Sequence, residues 1–193
     1  IVDVDLSPEQ EDKYFEALSG ILKLGDADDA DVKEVSKLTA ISYCQEIVDH
    51  LGLIGCEGGS GKLDALLELL TEGDFADEKV IVFTRFRKMV DILMPILAKN
   101  GIKAVRITGE ENQDQREKAK ADFQNPAGDV RVVCLTAAGA EAINLQAAKA
   151  MIFYDTPWSA GDFLQCLDFQ TEILTQRGFR GVSAISPSDK VAA

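Results

Sequence analysis

The sequence predicts an α/β fold, a doubly wound parallel sheet preceded by a helical segment. Two observations carry this. From Lys79 onward, short β-branched apolar runs ("KVIVFT", "IKAVRIT", "DVRVVCLT", "AMIFYD") recur, each continuous enough for a strand covered on both faces. Helix-patterned stretches with short links lie between most of them, and parallel neighbours need such crossovers. Before Lys79 the pattern is helical and strongly acidic.

Taken in order, Ser7-Pro8-Glu9-Gln10 is a helix start, with Ser as N-cap and Pro at the first helical position. Tyr14, Phe15, Leu18, Ile21 and Leu22 then keep helical spacing. "GDADDAD" reads as a solvated loop. A second helix is predicted over 32–53, with Val35, Leu38, Ile41, Ser42, Gln45, Ile47, Val48 and Leu51 near one side. A glycine-rich hinge over 55–61 opens an amphipathic helix over 63–70. "RKMVDILMPILAKNG" is a helix that Pro95 should bend and Gly101 ends. "NQDQREKAKADFQN" is a polar-faced helix, "AAGAEAINL" a turn, "AGDFLQCLDFQTEILTQ" a helix and "GVSAIS" an edge strand.

The glycine run "GGSGKLDALLELL" has the look of a phosphate-gripping loop, but the spacing fails. That loop needs Gly-x-x-x-x-Gly-Lys-[Ser/Thr] after a buried strand. Here Cys56 stands at the first glycine position and Leu63 where the hydroxyl belongs. No other Walker-type loop or magnesium-binding acidic box is present, so the chain alone is not expected to hydrolyse ATP.

Charge is uneven. Residues 1–78 carry 20 acidic and 5 basic side chains, a balance of −15. Residues 79–193 carry 13 and 15, a balance of +2, within a total of −13. Such a chain is not a general nucleic-acid binder, and phosphate contact must come from a few placed residues of the second part. The single histidine, His50, argues against a zinc site or a histidine-based triad. The four cysteines form no Cys-x-x-Cys pair, and Cys134 reads as a core hydrophobe. With no apolar run of transmembrane length and no signal-peptide pattern, the expected setting is intracellular, cytoplasm or nucleus, with no membrane partner. A start at Ile1 suggests a piece of something longer.

In open parallel sheets ligands gather at the carboxyl ends of strands. Those ends hold Thr84-Arg85, Thr108-Gly109, Thr136-Ala137-Ala138-Gly139 and Asp155-Thr156-Pro157-Trp158. With "IVFTRF" (81–86), "GEENQDQREKAKADF" (109–123, with Arg116 and Phe123 in register), "LTAAGAEAINLQAA" (135–148) and "YDTPWSAGDFLQ" (154–165), the set resembles the second RecA-like lobe of the Swi/Snf family of DNA-dependent ATPases, within helicase superfamily two. "LSPEQEDKYFEAL" and "SGKLDALLELL" are similar to the family's stretches upstream, so the glycine run corresponds to its Ser-Gly-Lys lead-in to the lobe. The implied organisation is a helical segment, 1–57, followed by a RecA-like helicase C-terminal lobe, 58–193.

The resemblance implies roles residue by residue. Thr84, Arg85, Thr108 and Thr136 correspond to contacts with the nucleic-acid backbone. Gly139, Glu141, Asn144 and Gln165 correspond to residues facing the ATP cleft. Apart from the resemblance, Trp158 is either a stacking platform for a base or, as a lone tryptophan usually does, packs the start of the following helix. A complete motor would pair this lobe with a first RecA-like lobe upstream in the same chain, bind ATP and magnesium between them, and move on duplex DNA. The isolated lobe would bind DNA weakly and without sequence preference.

The sequence departs from the family at its last motif. Phe169 and Glu172 stand where two arginines face ATP, and losing such an arginine costs roughly 10³–10⁵ in rate. Spacings of four and seven place Gln165, Phe169 and Glu172 on one helical face if a helix runs through them. Ala140 and Ala142 replace two glycines of the preceding motif. The other reading is therefore a degenerate, non-catalytic lobe kept as a protein- or nucleic-acid-binding module.

Overall fold

The structure is a computed structural model and describes residues 2–25, 31–34, 36–140, 144–155, 172–175 and 178–181. By contacts the chain divides into two compact units, residues 3–154 and a second formed by 155–193 with residues 1–2.

In the first unit, α1 (Pro8–Ser19) starts as its sequence dictates. Ser7 and Gln10 form a reciprocal capping box, and Gly20 ends the helix with φ 85°. The predicted helical spacing stops there. Ile21–Leu24 is a strand, β1, paired antiparallel with β2 (Asp31–Glu34) in register Ile21↔Glu34. Apolar residues at 18, 21 and 22 fit either period; the left-handed glycine decides for the strand, with Leu22 buried and Ile21 exposed. The second helix is correspondingly shorter than expected. α2 covers Lys37–Asp49 behind the cap Ser36, and a separate 3₁₀ turn covers Leu51–Ile54. Its buried face is Ala40, Cys44 and Ile47, while Leu38 and Ile41, expected inside, are exposed.

His50 joins the two helical pieces. Its Nδ1 accepts the N–H of Gly52 at 2.9 Å, which requires an unprotonated nitrogen. Burial also pushes its pKa below the usual 6.5. A group whose pKa falls on folding adds stability that is complete above the unfolded value and lost as pH drops through the folded one. The melting temperature should therefore decline below pH 6.5 more steeply in the wild type than in His50→Asn, whose amide oxygen accepts the same N–H at any pH. Parallel pH profiles for the two proteins would contradict this.

The glycine run is no spacer. Gly55 closes the 3₁₀ turn in a left-handed conformation and Ser60 caps α3 (Gly61–Thr71). A Cβ on Gly61 would lie 2.1 Å from the carbonyl oxygen of Asp5, so only glycine lets the N-terminal arm pack there. The expected hinge is a packed junction.

The four predicted strands form one parallel sheet: β3 (Val80–Phe83), β4 (Ala104–Ile107), β5 (Val132–Leu135) and β6 (Ala150–Phe153), in the order β4-β5-β3-β6. Val80, Val82, Val132 and Cys134 join one core cluster with Leu63, Leu66 and Leu70 of α3 and Met89, Val90, Leu93 and Leu97 of α4 (Arg87–Lys99). Ile107, Val133 and Leu135, flanked by Ile81, face the opposite layer with Ala119 and Phe123 of α5 (Gln113–Gln124). Alternate residues of single strands thus enter different layers, which is why the runs are apolar without interruption. α4 continues through Pro95. Cys134 is fully buried, and desolvation pushes its thiol pKa up to about 12, leaving an inert core residue. A one-turn helix, α6 (Ala137–Ala140), follows β5 in place of the expected turn.

In the second unit the described elements are β7 (Glu172–Thr175) and β8 (Gly178–Gly181), an antiparallel pair in register Thr175↔Gly178. This corrects two expectations. Glu172 opens a strand rather than continuing a helix, and Gly181 ends a hairpin strand rather than starting an edge strand. The run Glu172-Ile173-Leu174-Thr175 is too short for periodicity to separate strand from helix, and a partner two residues further on decides it. Glu172 therefore does not extend a helical face from Gln165 and Phe169, which with Trp158 lie outside the described residues.

Candidate nucleic-acid interface

The carboxyl ends of β3, β4 and β5 bring Thr84, Thr108 and Thr136 together. Backbone bonds continue the sheet past its last paired residues: Thr84 N–H donates to Leu135 at 3.0 Å, and Thr136 N–H to Ile107 at 3.3 Å. The three threonines thus stand side by side on neighbouring strands, in the order 108, 136, 84, and all are buried.

Each hydroxyl has an internal partner. Thr136 Oγ1 donates to the carbonyl of Thr108 at 2.7 Å. Thr84 Oγ1 accepts the N–H of Phe86 at 3.2 Å, next to the start of α4. Thr108 Oγ1 donates to the carboxylate of Glu111 at 2.9 Å, and that carboxylate also takes the Thr108 N–H at 2.6 Å and the Gly109 N–H at 3.3 Å. Burial raises the pKa of Glu111, but these bonds outweigh it and hold the carboxyl below its usual value.

The basic side chains at this edge are paired as well. Arg87 bridges Asp91 at 3.0 Å and Glu110 at 2.9 Å, and Arg106 bridges Asp91 at 2.8 Å and Glu111 at 3.0 Å. Two guanidinium groups against three carboxylates leave the cluster at −1. Arg85 stacks on Phe86, its guanidinium carbon 5.1 Å from the ring centroid. The network was not legible in the sequence, because Arg106 and Asp91 are 15 residues apart and meet only once α4 packs beside β4.

Of the residues assigned to an ATP cleft, Gly139 lies in α6, where a Cβ would fall 2.0 Å from the carbonyl oxygen of Ile107. Arg116 of α5 donates to the Gly139 carbonyl at 2.9 Å and ties the two segments. Asn144 is exposed, and its main-chain carbonyl accepts from Gln124 at 3.1 Å. Glu141 and Gln165 lie outside the described residues. Among the described residues no cluster of His, Cys, Asp and Glu is placed to hold a metal ion, and no helix is long and apolar enough to cross a membrane.

The loop Gly58–Lys62 does not fit a triphosphate. Its donors are used internally: Ser60 Oγ on the Asp49 carbonyl at 2.7 Å, Gly61 N–H on Gln10 at 3.3 Å and Lys62 Nζ on the Asp49 carboxylate at 2.6 Å. The junction of Gln10, Asp49 and Lys62 was not legible in the sequence, because its members are 39 and 13 residues apart. The one local signal was a glutamine at the third helical position, which the capping box already explained.

A doubly wound parallel sheet with threonine-bearing carboxyl ends and these motifs defines a helicase-type RecA-like lobe. The family model "Helicase conserved C-terminal domain" matches residues 61–168, more than half of the chain, and the chain belongs to that family. Within it, the chain is a C-terminal lobe of the Swi/Snf kind. It is 36% identical over 110 residues to the human chromatin-remodeling ATPase INO80, covering 56% of this chain and 7% of that protein. The C-terminal domain of a Sulfolobus solfataricus SWI2/SNF2 ATPase matches with TM-score 0.62 and 26% identity, over 80% of this chain and 70% of that one. The Sulfolobus solfataricus SWI2/SNF2 ATPase core in complex with double-stranded DNA matches with TM-score 0.58 and 25% identity, over 79% and 33%. The chain spans 5–9% of the length of the curated relatives it matches.

Proposed function

We propose that this chain is the second motor lobe of an intracellular Swi/Snf-type, ATP-dependent DNA translocase, with residues 1–57 as a helical segment preceding the lobe 58–193. It closes on a first lobe, forms one wall of the ATP cleft through Gly139, Glu141, Asn144 and Gln165, and holds the duplex backbone through Thr84, Arg85, Thr108 and Thr136. The observation that carries this is the row of threonines on three adjacent parallel strand ends, the edge at which open parallel sheets gather their ligands. ATP and magnesium would act in the complete two-lobe protein, supplying phosphoryl transfer. The chemistry of this chain is to bind and position.

The motivation for an inactive isolated chain is that its one glycine-lysine loop is committed to Asp49 and Gln10. The purified chain should show no DNA-stimulated ATP hydrolysis and only weak duplex binding, in the range of about 10⁻⁴–10⁻⁶ M and falling steeply with salt. Turnover near ~1 s⁻¹ from the chain alone, or a preference for one DNA sequence, would overturn this reading.

The replacement of both family arginines by Phe169 and Glu172, with Glu172 in a strand, favours a second reading: a degenerate lobe acting as a binding module. Fusing the chain behind the first lobe of a related Swi/Snf ATPase separates the two. DNA-stimulated turnover supports the motor. ATP binding without turnover supports the module.

A further inference from the structure

We infer that Glu111 is a built-in competitor for the DNA phosphate seat at the end of β4, an inference that rests on reading Thr108 as a backbone contact. The seat is made of donors. One oxygen of Glu111 receives the Thr108 N–H at 2.6 Å, the Thr108 hydroxyl at 2.9 Å and the Gly109 N–H at 3.3 Å, while its other oxygen faces Arg106 Nε at 3.0 Å. Gly109 sits at φ 109°, and successive N–H groups turned to one side make a small anion-binding concavity. Two backbone N–H groups, a hydroxyl and a guanidinium recognise a carboxylate and a phosphate oxygen alike. The side chain that fills the seat belongs to the chain itself, three residues from Thr108.

A phosphate therefore meets a seat that is full and a cluster already at −1. Binding requires Glu111 to leave, and there is somewhere for it to go. A groove of about 600 Å³ opens beside the seat; Glu111 itself lines it, with Arg106, Glu110, Gln115, Lys118 and the acidic Asp122 one turn from Lys118. Lys118, on α5, is the cation that would receive the displaced carboxylate. Glu111 thereby sets how tightly this edge holds DNA, and the lobe grips only as strongly as the phosphate exceeds its own acid.

The test is anisotropy of a labelled mixed-sequence duplex with the full chain, measured across a salt series. Glu111→Ala, which empties the seat, should tighten binding about three- to tenfold at low salt and steepen the salt slope by about one unit. Glu111→Gln, which keeps the shape and one acceptor oxygen, should give a smaller gain. It also carries the test if the alanine variant melts early. Glu117→Gln, the same charge change on the exposed side of α5, should change binding less than about twofold. In Thr108→Val/Glu111→Ala the gain should be cut back. An equal gain from Glu117→Gln would assign the effect to bulk charge and overturn the inference. So would unchanged binding in both Glu111 variants while Thr108→Val weakens the wild type, in which case the DNA contact stands without competition. If none of these substitutions alters binding, the reading of Thr108 as a DNA contact falls with it.

Discussion

Lys62→Met is expected to cost about 2 kcal/mol of folding stability, between the values for surface pairs and for fully buried ones, because only the Asp49 side of the pair is buried. The Asp49 carboxylate is 2% exposed and receives Lys62 Nζ at 2.6 Å. Around it the carbonyl of Asp49 takes the Ser60 hydroxyl at 2.7 Å and the Tyr154 hydroxyl at 2.9 Å, and Lys62 Nζ also lies 5.8 Å from the Tyr154 ring centroid. This junction joins α2, α3 and the end of β6. Deleting the cation removes the Nζ partner of a carboxylate that is 2% exposed, whereas Asp49→Asn leaves a lysine that is 29% exposed and reaches solvent. The asymmetry is the testable content: Lys62→Met should cost more than Asp49→Asn in urea denaturation, and the double substitution should recover much of the difference. A cost for Lys62→Met below about 1 kcal/mol would place the pair with ordinary surface salt bridges.

Gly139→Ala should be comparably damaging and should also lose DNA binding. The added methyl would fall 2.0 Å from the Ile107 carbonyl oxygen, 2.5 Å from its carbon and 3.0 Å from Thr108 N, and all three are backbone atoms. None is the yielding tip of a side chain, so the end of β4 or α6 must move, at about 3 kcal/mol for an overpacked site. The same atoms set the Thr108 seat, because Ile107 also accepts from Thr136 N–H at 3.3 Å. Gly61→Ala makes an informative comparison. It clashes at 2.1 Å with Asp5, which lies in the arm before α1 rather than in a sheet, so its cost should be smaller. A Gly139→Ala protein that melts within about 1 °C of the wild type and binds DNA unchanged would refute both halves.

The sequence by itself determined the parallel sheet, because β-branched runs such as Val80–Phe83 and Val132–Leu135 state locally that both faces are covered. It also determined the start of α1 through Ser7, Pro8 and Gln10, and placed the threonines, since strand ends are read directly from where those runs stop. These are short-range properties of dihedral preference and periodicity. Local pattern was ambiguous for the four-residue strands at Ile21 and Glu172, where apolar spacing suits two periods and the pairing partner decides.

Only the tertiary structure decided how polar groups are satisfied. Gln10 looks like a surface capping residue, yet its amide donates to Ile47 at 2.6 Å, 37 residues away, inside the junction. Lys62 looks like a phosphate-loop lysine and is the counterion of Asp49. Glu111 looks like one acid among many and fills the seat that Thr108 was expected to offer. A buried donor or acceptor must find a partner, but sequence separation carries almost no information about which one it finds. That choice is made when layers close, and here it assigns the charged residues to one another before any ligand arrives.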